Sequence, residues 1–176
     1  MANVNLRAEG PTEFDQIWGV RANYFACFIA DHDASLARVD PLLIELCRLR
    51  MAQILGCDFA FSCRYAPAVA AGLDEAKIAN ISSYPNSPLF TPRERACIEF
   101  AEQFSMQSSS ISDSDVERLL EHIDPETLIY FVKALSVTDQ LLRGTVAFGI
   151  TPGTTAPASL AQFVSAPSAD APLAVG

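Results

Sequence analysis

Residues 40–72 constrain the fold more than any other part of this chain, because they carry the signals for two consecutive helices. The pair Asp40-Pro41 is typical of a helix start: the aspartate accepts hydrogen bonds from the first free amides, and proline suits the first helical position. Gly56 is typical of the position just past a helix C-terminus. We therefore predict a helix over residues 41–55.

A second helix is predicted to follow at once, so that the two form a hairpin. Asp58 is a suitable N-cap, and Gly72 stands where a helix would end. Pro67 lies inside this segment and removes one backbone donor, which predicts a kink.

The rest of the chain also shows helical rather than strand-like patterning. Thr91 and Glu94 form a capping box, and Asp124-Pro125 repeats the start seen at residue 40. The Asp31-His32-Asp33 cluster is expected to end or restart the first helix. No stretch shows sustained alternation of apolar and polar residues, so we predict an all-α fold of about six to seven helices. Besides the hairpin, the main predicted helices cover residues 11–30, 74–81, 91–104, 112–122 and 124–150.

Three regions of different character divide the sequence. Residues 1–10 are predicted to be a flexible arm, and residues 11–150 a single helical domain. From residue 151 to 176 the composition changes to Ala, Pro, Ser, Thr and Gly, and this C-terminal segment is expected to add nothing to the core.

Charge and hydrophobicity exclude several kinds of partner. The net charge is −9, whereas binding of nucleic acid needs a basic surface. No uninterrupted apolar run approaches the roughly 18 residues of a membrane span, and the N-terminus has no apolar signal core. We therefore expect a cytoplasmic protein without nucleic-acid or membrane partners.

The cysteines are expected to be thiols in that compartment. There are five of them, without the spacing of a disulfide scaffold. Three are interpreted as core residues: Cys27, Cys47 and Cys97. His32 and His122 are isolated in segments that look exposed, so no metal site is expected, and no cofactor either.

The hairpin carries the candidate chemistry. Cys57 lies at the predicted N-terminus of the second helix, where free amides and the helix dipole favour a thiolate. Arg64 follows two turns later and is expected to approach that thiolate or an anionic ligand. Glu45, on the apolar first helix, suits proton transfer. Arg64, Phe61 and Tyr65 are assigned to substrate binding, and Cys57 and Glu45 to catalysis.

Six short motifs are spread along the chain: Glu45-Leu46, Arg50-Met51-Ala52, Gly56-Cys57-Asp58-Phe59, Ala70-Ala71-Gly72-Leu73, Phe90-Thr91-Pro92-Arg93-Glu94-Arg95-Ala96 and Phe100-Ala101-Glu102. With these motifs the chain resembles the carboxymuconolactone decarboxylase and alkylhydroperoxidase D-like superfamily over roughly residues 23–152. The resemblance implies a helical bundle that assembles as a homo-oligomer (dimer, trimer or hexamer) and acts on a small-molecule substrate.

The chain departs from the peroxidase branch of this superfamily at two positions. That branch has a glutamate, a Cys-x-x-Cys motif twelve residues later, and a histidine four residues after the second cysteine. Glu45 and Cys57 match, but Ala60 replaces the second cysteine and Arg64 replaces the histidine. Cys63 is a conceivable substitute partner for Cys57, although six residues on one helix would place the two on different faces.

Three hypotheses follow, and the first two make the protein an enzyme. The first is a single-cysteine thiol peroxidase or oxidoreductase that uses Cys57 with Glu45. The second is a cofactor-free decarboxylase, lyase or isomerase, in which Arg64 holds a small organic acid and Glu45 or Tyr65 moves a proton. The third is a non-catalytic helical oligomer that binds a ligand in the former pocket.

Overall fold

A computed structural model describes residues 7–167 and confirms the prediction of an all-α fold. Its described part contains nine α-helices and one pair of three-residue strands. The helices are α1 (Glu13–Trp18), α2 (Ala22–Leu36), α3 (Pro41–Leu55), α4 (Asp58–Phe61), α5 (Ala66–Ala70), α6 (Glu75–Ala79), α7 (Pro92–Gln107), α8 (Asp113–Leu120) and α9 (Pro125–Ala147). The strands are β1 (Cys63–Tyr65) and β2 (Phe163–Ser165).

The ends of α3 lie where the sequence places them. Oδ1 of Asp40 accepts hydrogen bonds from the amides of Leu42 and Leu43, at 3.0 and 3.3 Å. At the other end Gly56 has a φ of 66°, a left-handed conformation that residues with a Cβ rarely adopt. The predicted starts of α6, α7, α8 and α9 are likewise confirmed, each with a capping side chain.

Helix α3 lies at the centre of the bundle. It packs against α7 on one side and α9 on another, while α2 packs on α9. Its residues from Leu43 to Leu49 are all buried, including two charged ones, Glu45 and Arg48. No helix in the described part of the chain combines the length and the apolar character needed to cross a membrane.

The prediction that the acidic cluster at residues 31–33 ends or restarts the first helix is wrong. Helix α2 continues through it to Leu36, because His32 and Leu36 face the core with 0% and 1% exposure. Burial of these side chains outweighs the weak helix preference of aspartate. The break in the predicted helix lies earlier, at a single 3-10 turn, Gly19–Arg21.

The prediction of one continuous second helix in the hairpin is also wrong. Helix α4 ends after four residues, β1 follows, and the chain becomes helical again only in α5. Pro67 lies in the first turn of α5, so it starts a helix instead of kinking one. The cause is tertiary: β1 pairs with β2, which comes from the other end of the domain.

The expectation that the C-terminal segment adds nothing to the core is wrong for its described part. Strand β2 runs antiparallel to β1, with Cys63 opposite Ser165 and Tyr65 opposite Phe163. Leu160 and Phe163 are buried, with 3% and 7% exposure. Residues 168–176 lie outside the described residues.

Asp15 on α1 holds this segment in place. Its carboxylate accepts hydrogen bonds from the amide and hydroxyl of Ser159, at 2.9 and 2.6 Å, and from the amide of Ala158 at 3.2 Å. Of the predicted N-terminal arm, residues 1–6 lie outside the described residues. Its other end is attached to α1, since the amide of Ala8 donates to the carbonyl of Gln16 at 2.8 Å.

Candidate active site at the helix hairpin

Glu45 and Arg48 form a buried, two-pronged ion pair on α3. Nε of Arg48 lies 2.6 Å from Oε2 of Glu45, and Nη2 lies 2.7 Å from Oε1. The amide of Tyr65 also donates to Oε1, at 3.1 Å. Both carboxylate oxygens are therefore occupied, which suits a role in holding Arg48 better than the predicted proton transfer.

The guanidinium of Arg48 connects α3 to the chain beyond the hairpin turn. Nη1 donates to the carbonyl of Ala60 at 3.1 Å, and Nη2 donates to the carbonyl of Cys63 at 2.9 Å. Burial alone would lower the pKa of Arg48, but Glu45 and the nearby sulfurs of Cys57 and Cys63 raise it. Arg48 thus stays charged beside two thiols. Glu45, Arg48, Cys57 and Cys63 are called the thiol cluster below.

Cys57 is buried at the start of α4, with 3% exposure. Burial raises the pKa of its thiol, while a hydrogen bond from the amide of Ala60 and the charge of Arg48 lower it. The net direction is upward, opposite to the sequence prediction. Helix α4 has only four residues, so its dipole is too short to offset burial.

Cys63 is the second buried thiol of the cluster. Its Sγ lies 3.6 Å from Oγ of Ser62. Burial raises the pKa of Cys63, whereas Ser62 and the charges of Arg48 and Arg64 lower it. Because β1 interrupts the predicted helix, the helical argument that separated Cys63 from Cys57 does not apply.

The side-chain donors of Arg64 are taken by Glu75 and by backbone carbonyls. Its Nε and Nη2 each lie 2.9 Å from an oxygen of Glu75, and its Nη1 donates to the carbonyls of Phe61 and Cys63. These contacts tie β1 to α6. They give no support to the predicted role of Arg64 in holding a substrate.

The two aromatic residues assigned to substrate binding also lie in packed surroundings. Tyr65 is 2% exposed, and its ring centroid lies 5.6 Å from that of Phe163. Burial raises the pKa of its hydroxyl, which makes it a poor proton donor. Phe61 is partly buried and packs against the core.

A small cavity lies beside the thiol cluster, between α2, α3, α9 and β2. Its volume is about 20 Å³, enough for one water molecule. His32, Arg48, Cys63 and Thr138 supply its polar lining, and Phe163 and Leu160 cover it from the C-terminal segment. The five residues that the sequence assigned to the site do not line it.

His32 and Arg48 are the site residues that sequence reasoning missed. His32 was set aside as exposed, yet it is fully buried. Its spacing from Phe25, Phe28 and Leu36, at steps of three and four, contains the signal that places it on the inner face of α2. Arg48 follows Glu45 by three residues, a spacing that is equally typical of an ion pair on a helix surface. Within residues 7–167 no group of three or more His, Cys, Asp or Glu side chains is arranged to hold a metal ion.

Two curated bacterial proteins are similar to this chain in sequence, and both are uncharacterised. YdfG of Bacillus subtilis is 26% identical over 106 residues, which cover 60% of this chain and 72% of YdfG. YnjA of Escherichia coli is 28% identical over 90 residues, covering 51% of this chain and half of YnjA. No protein-family model matches the chain.

Solved structures show a clearer likeness. A protein of unknown function from Agrobacterium tumefaciens, with a provisional assignment as the antioxidant defence protein AhpD, superposes with a TM-score of 0.69. That superposition covers 82% of this chain and 99% of the other, at 20% identity. An alkylhydroperoxidase AhpD core from Ralstonia eutropha, described as peroxidase-related, superposes with a TM-score of 0.67 at 20% identity. The superposition covers 76% of this chain and 72% of the Ralstonia chain.

The third neighbour has a different activity. The debrominase Bmp8 superposes with a TM-score of 0.67 at 16% identity, over 82% of this chain and 77% of Bmp8. A cysteine-to-alanine variant of Bmp8 is known in complex with 2,3,4-tribromopyrrole. The chain therefore has the AhpD-like fold, as the resemblance in its sequence implied.

Proposed function

We propose that this protein is a thiol-dependent oxidoreductase that reduces hydroperoxides, with Cys57 as the reacting thiol and Cys63 as its partner. The observation that carries the proposal is the position of Arg48. A buried guanidinium that lies near two thiols stabilises the thiolate form of either one, against the effect of burial. The AhpD-like fold of peroxidase-related proteins supports the same chemistry.

The reaction proceeds in two steps. The Cys57 thiolate attacks one oxygen of a hydroperoxide, the O–O bond breaks, and the other oxygen leaves as an alcohol or water after taking a proton. Cys57 is thereby oxidised to a sulfenic acid. The sulfur of Cys63 then attacks that of Cys57, water leaves, and a disulfide forms. An external thiol reductant returns both cysteines to the thiol state.

Glu45 acts in this scheme as a positioning residue. It neutralises Arg48 and holds it against the carbonyls of Ala60 and Cys63. The first hypothesis is thus modified in two respects: a second thiol takes part, and Glu45 orients the cation instead of carrying the proton.

The test is mass spectrometry of the folded protein after brief exposure to substoichiometric peroxide. Cys57 is expected to gain one oxygen first, followed by a Cys57–Cys63 disulfide. Cys27 is exposed, so its predicted place in the core is wrong, and it reports nonspecific oxidation. Buried Cys97, whose pKa burial raises to about 12, shows the rate for an unreactive thiol. Oxidation of Cys27 ahead of Cys57 would overturn the proposal. Cys97→Ser serves as the matched control for Cys57→Ser.

A second candidate is suggested by the debrominase neighbour: thiol-dependent removal of bromide from a halogenated aromatic ring. Two thiols supply two electrons, the carbon–bromine bond is replaced by carbon–hydrogen, and bromide and a disulfide are the products. Bromide release from a brominated pyrrole in the presence of excess thiol distinguishes this candidate from peroxide reduction. Full turnover of a small organic acid by Cys57→Ser would instead favour the cofactor-free lyase.

We also propose that the protein forms a homo-oligomer. Large apolar side chains stay exposed at one end of the bundle, where Phe148 packs edge-on against Trp18. Val20, Tyr24 and Val146 are also exposed, with Tyr24 at 74%. Sedimentation analysis should give a mass above that of one chain, and Tyr24→Asp should reduce it.

A further inference from the structure

The cavity beside the thiol cluster contains two buried polar atoms that lack hydrogen-bond partners among the described residues. They are Nε2 of His32 and Oγ1 of Thr138, on side chains from α2 and α9. The two residues are 0% and 1% exposed. Because an unsatisfied buried polar group is costly, their placement on one cavity points to a function for that cavity.

The tautomer of His32 follows from its other ring nitrogen. Nδ1 lies 3.2 Å from Oδ1 of Asp33, an acceptor, so Nδ1 carries the proton. With that proton on Nδ1, the lone pair of Nε2 is free to accept one. A base oriented by a carboxylate in this way is the usual arrangement beside a nucleophilic thiol or hydroxyl.

Cys63 is the only thiol among the residues that line this cavity, and it needs a proton acceptor. Burial raises the pKa of its thiol, so little thiolate forms without help. Glu45 is bound on both oxygens, as described above. His32 is thus the available base on the cavity wall.

We propose that His32 accepts the proton of Cys63 across this cavity through one water molecule held by Thr138, and so makes Cys63 the attacking thiolate in disulfide formation. The proton passes from Sγ of Cys63 to the water, which gives one of its own protons to Nε2 of His32. The sulfur of Cys63 then forms a bond to that of Cys57, the S–O bond of the sulfenic acid breaks, and the leaving hydroxide takes the proton from His32 to become water. Asp33 orients the imidazole.

This inference rests on the proposed function only in using Cys57 sulfenic acid as the electrophile. The experiment separates the two steps by rapid quenching after one equivalent of peroxide. Mass spectrometry then follows Cys57 sulfenic acid and the disulfide independently. In His32→Gln the disulfide should form about a hundredfold more slowly while Cys57 oxidises at the wild-type rate, so that sulfenic acid accumulates.

The control is His122→Gln, which changes the only other histidine of the sequence, two residues after the end of α8. Both steps should keep their wild-type rates in this variant. Disulfide formation at the wild-type rate in folded His32→Gln would overturn the inference. Failure of Cys57 to oxidise in the wild type would instead overturn the proposed function.

Two measurements keep the inference testable in either case. If His32→Gln does not fold, Asp33→Asn removes the orienting carboxylate at a partly exposed position and should slow the disulfide step by a smaller factor.

If Cys57 does not oxidise, the rate of Cys63 alkylation by iodoacetamide tests whether His32 acts as the base. The alkylation rate at Cys63 should fall about tenfold in His32→Gln or Asp33→Asn, while the rate at Cys57 stays unchanged. A Cys63 rate equal to that of the wild type in both variants would contradict the role of His32.

Discussion

Two arginine–carboxylate pairs meet at β1, and they differ mainly in the exposure of the carboxylate. Arg48 and Glu45 belong to one helix and are buried, with side-chain exposures of 6% and 0%. Arg64 and Glu75 join a strand to a short helix, with side-chain exposures of 7% and 32%. The two arginines are thus almost equally buried, whereas only the second carboxylate reaches solvent.

The difference shows that residue type and family position do not by themselves locate a site. Arg64 takes the place of the histidine in the superfamily pattern, and the sequence assigns it to the substrate. In the structure its donors are taken by Glu75 and by carbonyl groups. Arg48, whose spacing from Glu45 is equally typical of a helix-surface pair, is the cation that lies near both thiols.

The largest effect is expected for Glu45→Gln, which leaves the Arg48 charge buried without its counterion. Removal of one partner of a buried pair typically costs about 3–5 kcal/mol. The free energy of unfolding, measured with urea, should fall by this amount. A loss of less than about 1 kcal/mol would mean that water reaches Arg48 and that the two pairs are alike.

Phe163→Ala should lower the free energy of unfolding almost as much. The ring of Phe163 lies over Arg48, with the guanidinium carbon 5.1 Å from the ring centroid. Loss of a buried phenylalanine costs roughly 3–5 kcal/mol. The matched control is Val164→Ala, the next residue on β2, which is 42% exposed and should change stability by less than about 0.5 kcal/mol. Equal losses of stability in the two variants would show that β2 stabilises the protein only through its backbone hydrogen bonds.

Asp15→Asn tests the attachment of the C-terminal segment, and its effect depends on pH. Burial alone would raise the pKa of Asp15, but hydrogen bonds from Ser159, Thr12 and Ala158 outweigh it and hold the pKa below its usual value. A lowered pKa in the folded state stabilises the protein at pH values above the unfolded value of about 3.9, and this stabilisation disappears as the pH falls through the folded value.

The free energy of unfolding of the wild type should therefore exceed that of Asp15→Asn by about 2 kcal/mol at pH 7. The difference should shrink as the pH falls below about 3.9, so that it is smaller at pH 3. Urea titrations at both pH values measure the difference. A constant difference would show that the variant acts by repacking and not by loss of the charge.

The smallest effect is expected for Glu75→Gln at the outer pair. A pair with a partly exposed carboxylate contributes between about 0 and 1 kcal/mol, and salt screens part of it. Urea denaturation at low and high salt should show a small loss that shrinks with salt. A loss comparable to that of Glu45→Gln would remove the contrast between the pairs.

Local chemistry explains which parts of the fold could be predicted. The starts of α3, α7 and α9 depend on a capping side chain and a proline within a few residues, so the sequence specifies them directly. Strand β1 depends instead on a partner far along the chain. Three residues between two helical segments carry too little pattern to indicate a strand without that partner.

The residues of the candidate site also differ in whether local sequence or distant contacts determine their positions. The position of Cys57 after Gly56 follows from the end of α3, so local sequence signals specify it. The contribution of His32 required knowing that α2 continues past the acidic cluster, and that of Cys63 required knowing that the second helix is interrupted. Both depend on packing between distant segments.

The pairing of β1 with β2 also affects the order of events during synthesis. Residues 156–165 leave the ribosome after every helix of the described domain, so the hairpin emerges long before the segment that covers its cavity. Until then His32, Arg48 and Cys63 face water or cellular thiols. Contacts between such distant segments form late and slowly, so the cavity of a nascent chain stays open until β2 has emerged and paired with β1.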